Sequence, residues 1–153
     1  IRYAKGNAVD RTLYSQNGGD WFMAMPPERQ RLFADGFASL PVAMEVETAG
    51  GTVGLLHADC PTASWGRLRA TLTHPPRPSL LSSAEDFCLW SRRRINDMNR
   101  SGVAGIRAVV VGHTPLDRPV ILGNVYHIDT GGWLPEGRFT LLDLATLEFA
   151  CHG

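Results

Sequence analysis

The stretch at residues 106–132, IRAVVVGHTPLDRPVILGNVYHIDTGG, decides the fold. Its β-branched run at residues 106–111 predicts a strand that is buried on both faces. Gly123 and Asn124 separate two further apolar runs and predict a hairpin, because both residues tolerate a positive φ. His113 follows the end of the first strand, in a loop that a proline stiffens. Because α/β proteins bind ligands at such strand ends, we expect a site there.

A second strand that ends in a histidine lies earlier in the chain. Two apolar stretches, residues 41–47 and 52–58, predict a hairpin whose second strand ends at His57. Neutral imidazole is a good ligand for Mn²⁺, Fe²⁺ and Zn²⁺, and a strand end holds it with little entropy left to lose. His57 and His113 are therefore candidate metal ligands. The alternative for either one is an ordinary hydrogen-bonded surface histidine.

Helices are predicted before the first hairpin and between the two hairpins. Residues 1–16 resemble the end of a helix, and Gly18 stops it. Pro27 begins a second helix that Pro41 ends. The apolar face of this second helix consists of Leu32, Phe33, Phe37 and Leu40.

The segment between the hairpins predicts a loop followed by one helix. Residues 60–82 are rich in proline, serine and threonine, which favours an irregular surface loop. The helix at residues 84–98 has Ser83 as its N-cap, with Asp86 completing a variant of the capping box. Its packed face consists of Phe87, Trp90, Ile95 and Met98.

Arg92 is the candidate for binding an anion. With Trp90 turned inward, this helix directs Arg92 to another face, where it is free to point into a cleft. A guanidinium binds two phosphate oxygens in a bidentate fork and stabilises the charge of a transition state. The alternative is a solvated charged helix face, and we expect Arg93 and Arg94 to be solvated in either case.

Other polar residues have structural interpretations. Asp59 either orients His57 or a metal-bound water, or it opens the loop at Pro61 as an Asx-turn. We expect His127 to be structural and Asp129 to fix the hairpin backbone. The remaining candidates are Asn17, Asp20, His74 and His152. We expect Asn17 and Asp20 to lie in a turn, and no role is assigned to the two histidines.

The composition is that of an ordinary globular protein and gives no sign of a charged partner. The 153 residues are 44% hydrophobic and carry a formal net charge of zero, so neither a nucleic acid nor a membrane is expected as a partner. No apolar run approaches the roughly 18 residues of a transmembrane span, and no signal peptide begins the chain. Cys60, Cys88 and Cys151 lack metal-type spacing and predict reduced thiols in a cytoplasmic protein.

Four motifs resemble, in order, those of the bacterial and phage Ser/Thr protein phosphatases of the lambda-phosphatase type, within the metallophosphoesterase superfamily. Residues 17–22 resemble the NGG-x-W-F segment of that group, and residues 56–61 resemble its HAD-x-P motif. Residues 89–95 resemble its W-x-R-x-R-I helix. Residues 109–115 and 127–132, VVVGHTP and HIDTGG, resemble its C-terminal signature. Each motif is weak alone, but four in order span most of the chain.

The resemblance implies an α/β fold, the C-terminal portion of a metallophosphoesterase (calcineurin-like) β-sandwich with flanking helices. Residues 1–153 would then be a partial domain that lacks its N-terminal metal-binding half. His57 and His113 would bind the second of two divalent metal ions, with Mn²⁺ favoured over Fe or Zn, and Arg92 would bind the phosphate. The GD-x-HG, GD-x-x-DRG and GNHE motifs of the family do not occur in the sequence. We therefore expect the chain alone to be inactive.

The implied activity is metal-dependent hydrolysis of phosphoserine and phosphothreonine esters in protein substrates. One alternative is hydrolysis of dinucleoside polyphosphates by the same fold, although the HAD-x-P and NGG-x-W-F resemblances argue against it. The other is a non-catalytic phosphoprotein-binding module that kept Arg92 and lost the metals. Phosphopeptide binding that is unaffected by EDTA would support the latter.

Overall fold

The computed structural model describes Gly6 and residues 8–150, and the chain divides into two compact units, Ile1–Pro41 and Val42–Gly153. The described part of the first unit contains α1 (Arg11–Gln16), α2 (Asp20–Met23) and α3 (Pro27–Ala38). Residues 8–10 are not helical, so α1 begins later than predicted, and residues 1–5 and 7 lie outside the described residues. Gly18, with φ +80°, follows the end of α1 as predicted.

The predicted apolar residues of α3 lie together and line a surface pocket, but they are not the buried side of the helix. Gln30 and Ala34 are the buried residues of this helix, and the four predicted residues are at least 40% exposed. The amide of Gln30 donates to the carbonyl oxygens of Phe22 at 3.1 Å and Met25 at 2.9 Å. These carbonyls lie at the C-terminal end of α2 and just beyond it, where the buried amide supplies donors that an apolar side chain would lack.

The second unit is built on a five-stranded mixed sheet with the strand order β1-β2-β3-β5-β4. Two antiparallel hairpins, β1–β2 and β4–β5, flank β3, which is parallel to β2 and to β5. Gly123 turns the second hairpin with φ +65°. The predicted mixed α/β architecture with flanking helices is confirmed. The strands are β1 (Ala43–Val46), β2 (Val53–Leu56), β3 (Ala108–Val111), β4 (Val120–Leu122) and β5 (Val125–His127).

Strand β3 is buried on both faces, as predicted. Val109 and Val111 pack in the core beneath the helices, whereas Ala108 and Val110 face a second layer. That layer contains a two-stranded sheet of β6 (Leu141–Leu142) and β7 (Phe149–Ala150). Cys151 lies outside the described residues.

The predicted irregular loop at residues 60–82 is wrong, because helix α4 (Trp65–Thr73) occupies its centre. Trp65 is 2% exposed and Leu68 is 1% exposed, so this helix covers one face of the sheet. The prolines of the segment lie on either side of α4 and do not interrupt it. Burial of two large apolar side chains therefore outweighs a composition that is typical of loops.

The predicted helix at residues 84–98 is also wrong in its bounds. Helix α5 (Pro78–Trp90) begins six residues earlier, with Pro78 in its first turn, so Ser83 is not an N-cap. Ser91 is extended, and a separate short helix, α6 (Arg93–Asn96), follows it. Ile95 is buried as predicted, but Trp90 and Met98 are largely exposed.

Candidate functional site

The two candidate histidines lie side by side at the ends of neighbouring parallel strands. His57 follows β2 directly, and His113 lies two residues beyond β3. The Gly112 N–H donates to the His57 carbonyl at 2.9 Å and joins the two strand ends. His57 Nε2 is 3.1 Å from His113 Nδ1, with the rings 4.8 Å apart between their centroids. The sheet therefore fixes two imidazole nitrogens facing each other.

His113 has a strained backbone. Its φ is +69°, and the N–H of Thr114 donates to the carbonyl of Gly112 at 2.8 Å, so His113 is the central residue of a γ-turn with positive φ. Such turns are rare, and residues in this region cost of order 1–3 kcal/mol. A hydrogen bond from Leu116 N–H to the Asp129 carbonyl at 2.9 Å holds the loop beyond the turn. Turn residues around His113 were the available sequence signal for this geometry.

The surroundings of His113 favour a neutral ring. Burial lowers the pKa of His113 below its usual value, and the charge of Arg92 and the ring of His57 act in the same direction. The backbone of Trp90 and the carboxylate of Asp129 oppose this lowering of the pKa. The second ring nitrogen, Nε2, is buried without a hydrogen-bond partner in the described structure. Neutral imidazole is the form that binds a metal ion.

The separation of the two facing nitrogens fits a pair of metal ligands. In octahedral coordination, two nitrogens at ~2.1 Å from one ion and at right angles to each other lie ~3 Å apart. The 3.1 Å between His57 Nε2 and His113 Nδ1 agrees with this value and also with a hydrogen bond between the rings. No group of three or more His, Cys, Asp or Glu residues that could hold a metal occurs among the described residues. The described residues thus offer two facing imidazole nitrogens and no larger group of candidate ligands.

Arg92 and Trp90 complete the surface around the histidine pair. Arg92 is exposed at the N-cap of α6, in the break after α5, and not on a continuous helix face as predicted. Its charge acts on His113, and no hydrogen bond or ion pair with another described residue engages its side chain. Trp90 is 59% exposed, and its ring meets the His113 ring edge-on at 5.7 Å. The structure thus brings Arg92 to the histidines, and it adds Trp90, which sequence reasoning placed in the core.

Asp59 faces away from the histidine pair. It is 3% exposed, and its Oδ1 accepts from Cys60 N–H at 2.7 Å and from Arg94 Nε at 3.0 Å. Its Oδ2 accepts from the Arg94 backbone N–H at 3.2 Å. None of its hydrogen bonds within the described residues goes to His57, so neither predicted role accounts for these contacts.

The expectation for Arg94 is wrong, because this residue is 7% exposed and not solvated. Its guanidinium is held by the carboxylate of Asp59 and by the carbonyls of Asn99 and Ser101. Arg93 is exposed as expected, 3.6 Å from the carboxylate of Asp97. The W-x-R-x-R-I motif specifies an arginine at position 94 and leaves position 93 open, so it was the sequence signal that could have singled out the buried arginine.

None of the other described candidates in the second unit forms a hydrogen bond with either facing nitrogen. His127 is 2% exposed on β5, and burial lowers its pKa while Asp59 opposes and Arg94 assists this change. Asp129 Oδ1 accepts from Gly131 N–H at 2.9 Å, which agrees with its predicted role in fixing the backbone. His74 is exposed at the C-cap of α4. Asn17 and Asp20 lie in the first unit, and His152 lies outside the described residues.

Comparison with known proteins bears on the predicted family. No protein-family model matches the chain. It is similar to Serine/threonine-protein phosphatase 1 of Salmonella typhimurium strain LT2, with 32% identity over 133 residues that cover 85% of this chain. The match covers 55% of the relative, so the chain spans about half of that protein's length. The similarity supports the relation to a phosphatase family that the motifs predict. In the part of the chain that the structure describes, no helix is long and apolar enough to span a membrane.

Proposed function

We propose that this chain forms part of a metal-dependent phosphoester hydrolase that acts on phosphoserine and phosphothreonine in proteins. The observation that carries the proposal is the histidine pair, with His57 Nε2 and His113 Nδ1 facing each other at 3.1 Å on neighbouring strand ends. These two nitrogens would hold one divalent ion of a pair, with Mn²⁺ favoured. The strain at His113 supports a functional role, because such strain persists only where the surrounding structure enforces it.

Arg92 would bind the phosphoryl group of the substrate. Its guanidinium is exposed and free to donate two parallel N–H bonds to phosphoryl oxygens. Its fixed positive charge would stabilise the negative charge of the transition state. A bound metal pair supplies Lewis acidity and lowers the pKa of a water molecule.

The described residues account for only part of the site. A catalytic metal ion usually has at least three protein ligands, and this chain offers the histidine pair. The further ligands would come from residues outside the described set. We therefore expect the 153 residues by themselves to bind metal weakly and to be inactive as a hydrolase.

The choice of a protein substrate rests on the motifs and on the printed name of the Salmonella relative. The exposure of His57, Arg92 and Trp90 is compatible with it, because an open surface admits a phosphorylated side chain of a macromolecule. Dinucleoside polyphosphates and phosphoprotein binding without hydrolysis are the alternatives that the experiments below separate.

Metal binding provides the first test. Mn²⁺ binding is measured by equilibrium dialysis for the chain and for His57→Ala, His113→Ala and His74→Ala. We expect the first two variants to lose binding and the third to keep it, because His74 lies outside the site. Quenching of Trp90 fluorescence by Mn²⁺, absent in Trp90→Phe, would place the ion beside the His113 ring. Unchanged binding in both site variants would refute the metal role.

Hydrolysis provides the second test, and it uses the protein as its source expresses it, so that any further ligands are present. The substrates are a phosphoserine peptide and diadenosine tetraphosphate. We expect Mn²⁺-dependent hydrolysis of the peptide, with Arg92→Ala lowering kcat/KM by about 100-fold or more. Arg93→Ala is the matched control, since Arg93 is an exposed neighbour with its own ion pair. Faster hydrolysis of the dinucleotide would favour the first alternative, and peptide binding without turnover the second.

A further inference from the structure

We infer that the buried ion pair of Asp59 and Arg94 positions Arg92, whose charge acts on His113. The inference rests on the phosphate-binding role proposed for Arg92. Neither Asp59 nor Arg94 touches the facing nitrogens, so both are positioning residues that act through Arg92.

Each residue of the ion pair lies two positions after a residue of the proposed site. Asp59 lies two residues beyond His57, and Arg94 lies two residues beyond Arg92. Two residues span at most about 7 Å of chain. A change in the geometry of the ion pair therefore reaches both functional side chains over a short length of backbone.

The segment that carries Arg92 is pinned at both ends to the residues that follow His57. On one side, Ala58 N–H donates to the Cys88 carbonyl at 2.7 Å. On the other side, the Asp59 carboxylate accepts from both Nε and the backbone N–H of Arg94. The residues between these two links include the extended break between α5 and α6, where Arg92 lies.

The ion pair constrains the direction of the backbone at α6 as well as its distance from the residues that follow His57. Because Asp59 binds the backbone and the side chain of Arg94 together, it fixes where α6 begins. Arg94 also donates from Nη1 to the carbonyls of Asn99 at 3.3 Å and Ser101 at 2.5 Å, so its side chain holds the segment that follows α6. A buried ion pair is often no more stabilising than apolar residues of the same volume. A role in orienting Arg92 does not depend on such a gain in stability.

The chain offers a matched control pair. Arg69 donates to Glu45 through Nε at 2.8 Å and through Nη2 at 2.7 Å, and this pair links α4 to β1. It is also an arginine–carboxylate pair, but its side chains are 59% and 31% exposed, against 8% and 4% for Arg94 and Asp59. Its variants therefore report the effect of losing a more exposed ion pair elsewhere in this unit.

The test measures three quantities for each variant. These are binding of a phosphoserine peptide by fluorescence anisotropy in Mn²⁺ and in EDTA, Mn²⁺ binding by dialysis, and stability by urea unfolding. The variants are Asp59→Asn and the double replacement Asp59→Asn/Arg94→Met. In the double variant, the amide keeps an acceptor for Cys60 N–H and the methionine fills the volume of the arginine stem, so that the fold survives. Glu45→Gln and Arg69→Lys are the controls.

We expect the double variant to bind the phosphopeptide about 10-fold more weakly, which corresponds to one displaced charge-assisted contact. Mn²⁺ binding should be retained, because the sheet and the Gly112–His57 hydrogen bond position the histidines. The control variants should bind the phosphopeptide as the original protein does. In a double-mutant cycle, Arg92→Ala should weaken binding less in the Asp59→Asn/Arg94→Met background than in the original one.

Two results would overturn the positioning role while leaving the proposed function intact. One is full phosphopeptide binding by the Asp59→Asn/Arg94→Met variant. The other is an additive cycle, in which Arg92→Ala has the same effect in both backgrounds. If Arg92→Ala has no effect in the original protein, the phosphate-binding role of Arg92 fails, and the positioning inference fails with it.

Discussion

Replacement of Gly54 by alanine tests how closely the helix layer covers the sheet that carries His57. A Cβ on Gly54 would lie 2.4 Å from Cη2 and 2.7 Å from Cζ2 of Trp65. Carbon atoms in contact lie at roughly 3.5–4.0 Å, so the indole has to move by about 1 Å. It has little room, because Trp65 is 2% exposed and its Nε1 donates to Glu45 Oε1 at 2.5 Å.

The expected loss of stability follows from these contacts. Overpacking a core costs about 1–3 kcal/mol, and a weakened hydrogen bond to a carboxylate costs about 1.5–3 kcal/mol. Removing a strand glycine returns about 0.5–1 kcal/mol of backbone entropy. We expect Gly54→Ala to lower the free energy of unfolding by about 2–4 kcal/mol and Tm by roughly 5–15 °C.

Urea and thermal unfolding, followed by circular dichroism, measure this loss. Gly66→Ala is the matched control, because a Cβ there would meet only Ser64 Oγ at 3.9 Å. It should stabilise α4 by up to about 1 kcal/mol. In a Trp65→Phe background the clashing ring atoms are absent, so Gly54→Ala should cost less there. An equal cost in both backgrounds would refute the steric explanation, as would a loss of less than about 0.5 kcal/mol.

Three further predictions concern the interior of the second unit. Burial raises the pKa of the Cys88 thiol to about 12 and also raises the pKa of the Cys60 thiol. We therefore expect neither thiol to react with DTNB at pH 8 in folded Cys151→Ser protein. Fast reaction without denaturant would contradict this. Because burial holds the pKa of His127 below 6.5 in the folded state, its neutral form contributes stability that is present above pH 6.5 and is lost as pH falls through the lowered pKa. His127→Leu should therefore flatten the acid limb of the curve of unfolding free energy against pH. An unchanged limb would exclude His127 as a source of the acid destabilisation. Asn124→Ala removes hydrogen bonds to Val103 N–H at 2.7 Å and to the Val103 carbonyl at 3.0 Å. Urea unfolding should show that the free energy of unfolding falls by about 2–3 kcal/mol. A fall below about 0.5 kcal/mol would mean that water replaces these bonds.

Local patterns predicted the elements on which the histidines lie. The β-branched run before His113 predicted a strand buried on both faces, and the glycine turns predicted both hairpins. Period and turn chemistry are properties of neighbouring residues, so they are readable along the chain. That His57 and His113 end neighbouring strands follows from two parallel strands packed side by side, and the structure has this arrangement.

The errors lie where packing between distant segments decides the outcome. Composition favoured a loop at residues 60–82, but Trp65 and Leu68 find a sheet face to cover, and a helix forms. The 84–98 pattern favoured one continuous helix, yet the chain breaks after Trp90. Asp59 binds the backbone N–H of Arg94 at this point, and that partner lies 35 residues away in the sequence.

By itself, the sequence determined the strands, the turns and the two histidines that follow strand ends, because these depend on short-range periodicity and on the φ that each residue tolerates. Only the tertiary structure decided that Arg94 is buried against Asp59 while Arg93 is exposed, and that Trp90 meets the ring of His113. Such choices depend on which distant group is present to satisfy a charge or cover a ring. The W-x-R-x-R-I motif marks the position of Arg94, but only its contact with Asp59, 35 residues away, shows that it is buried.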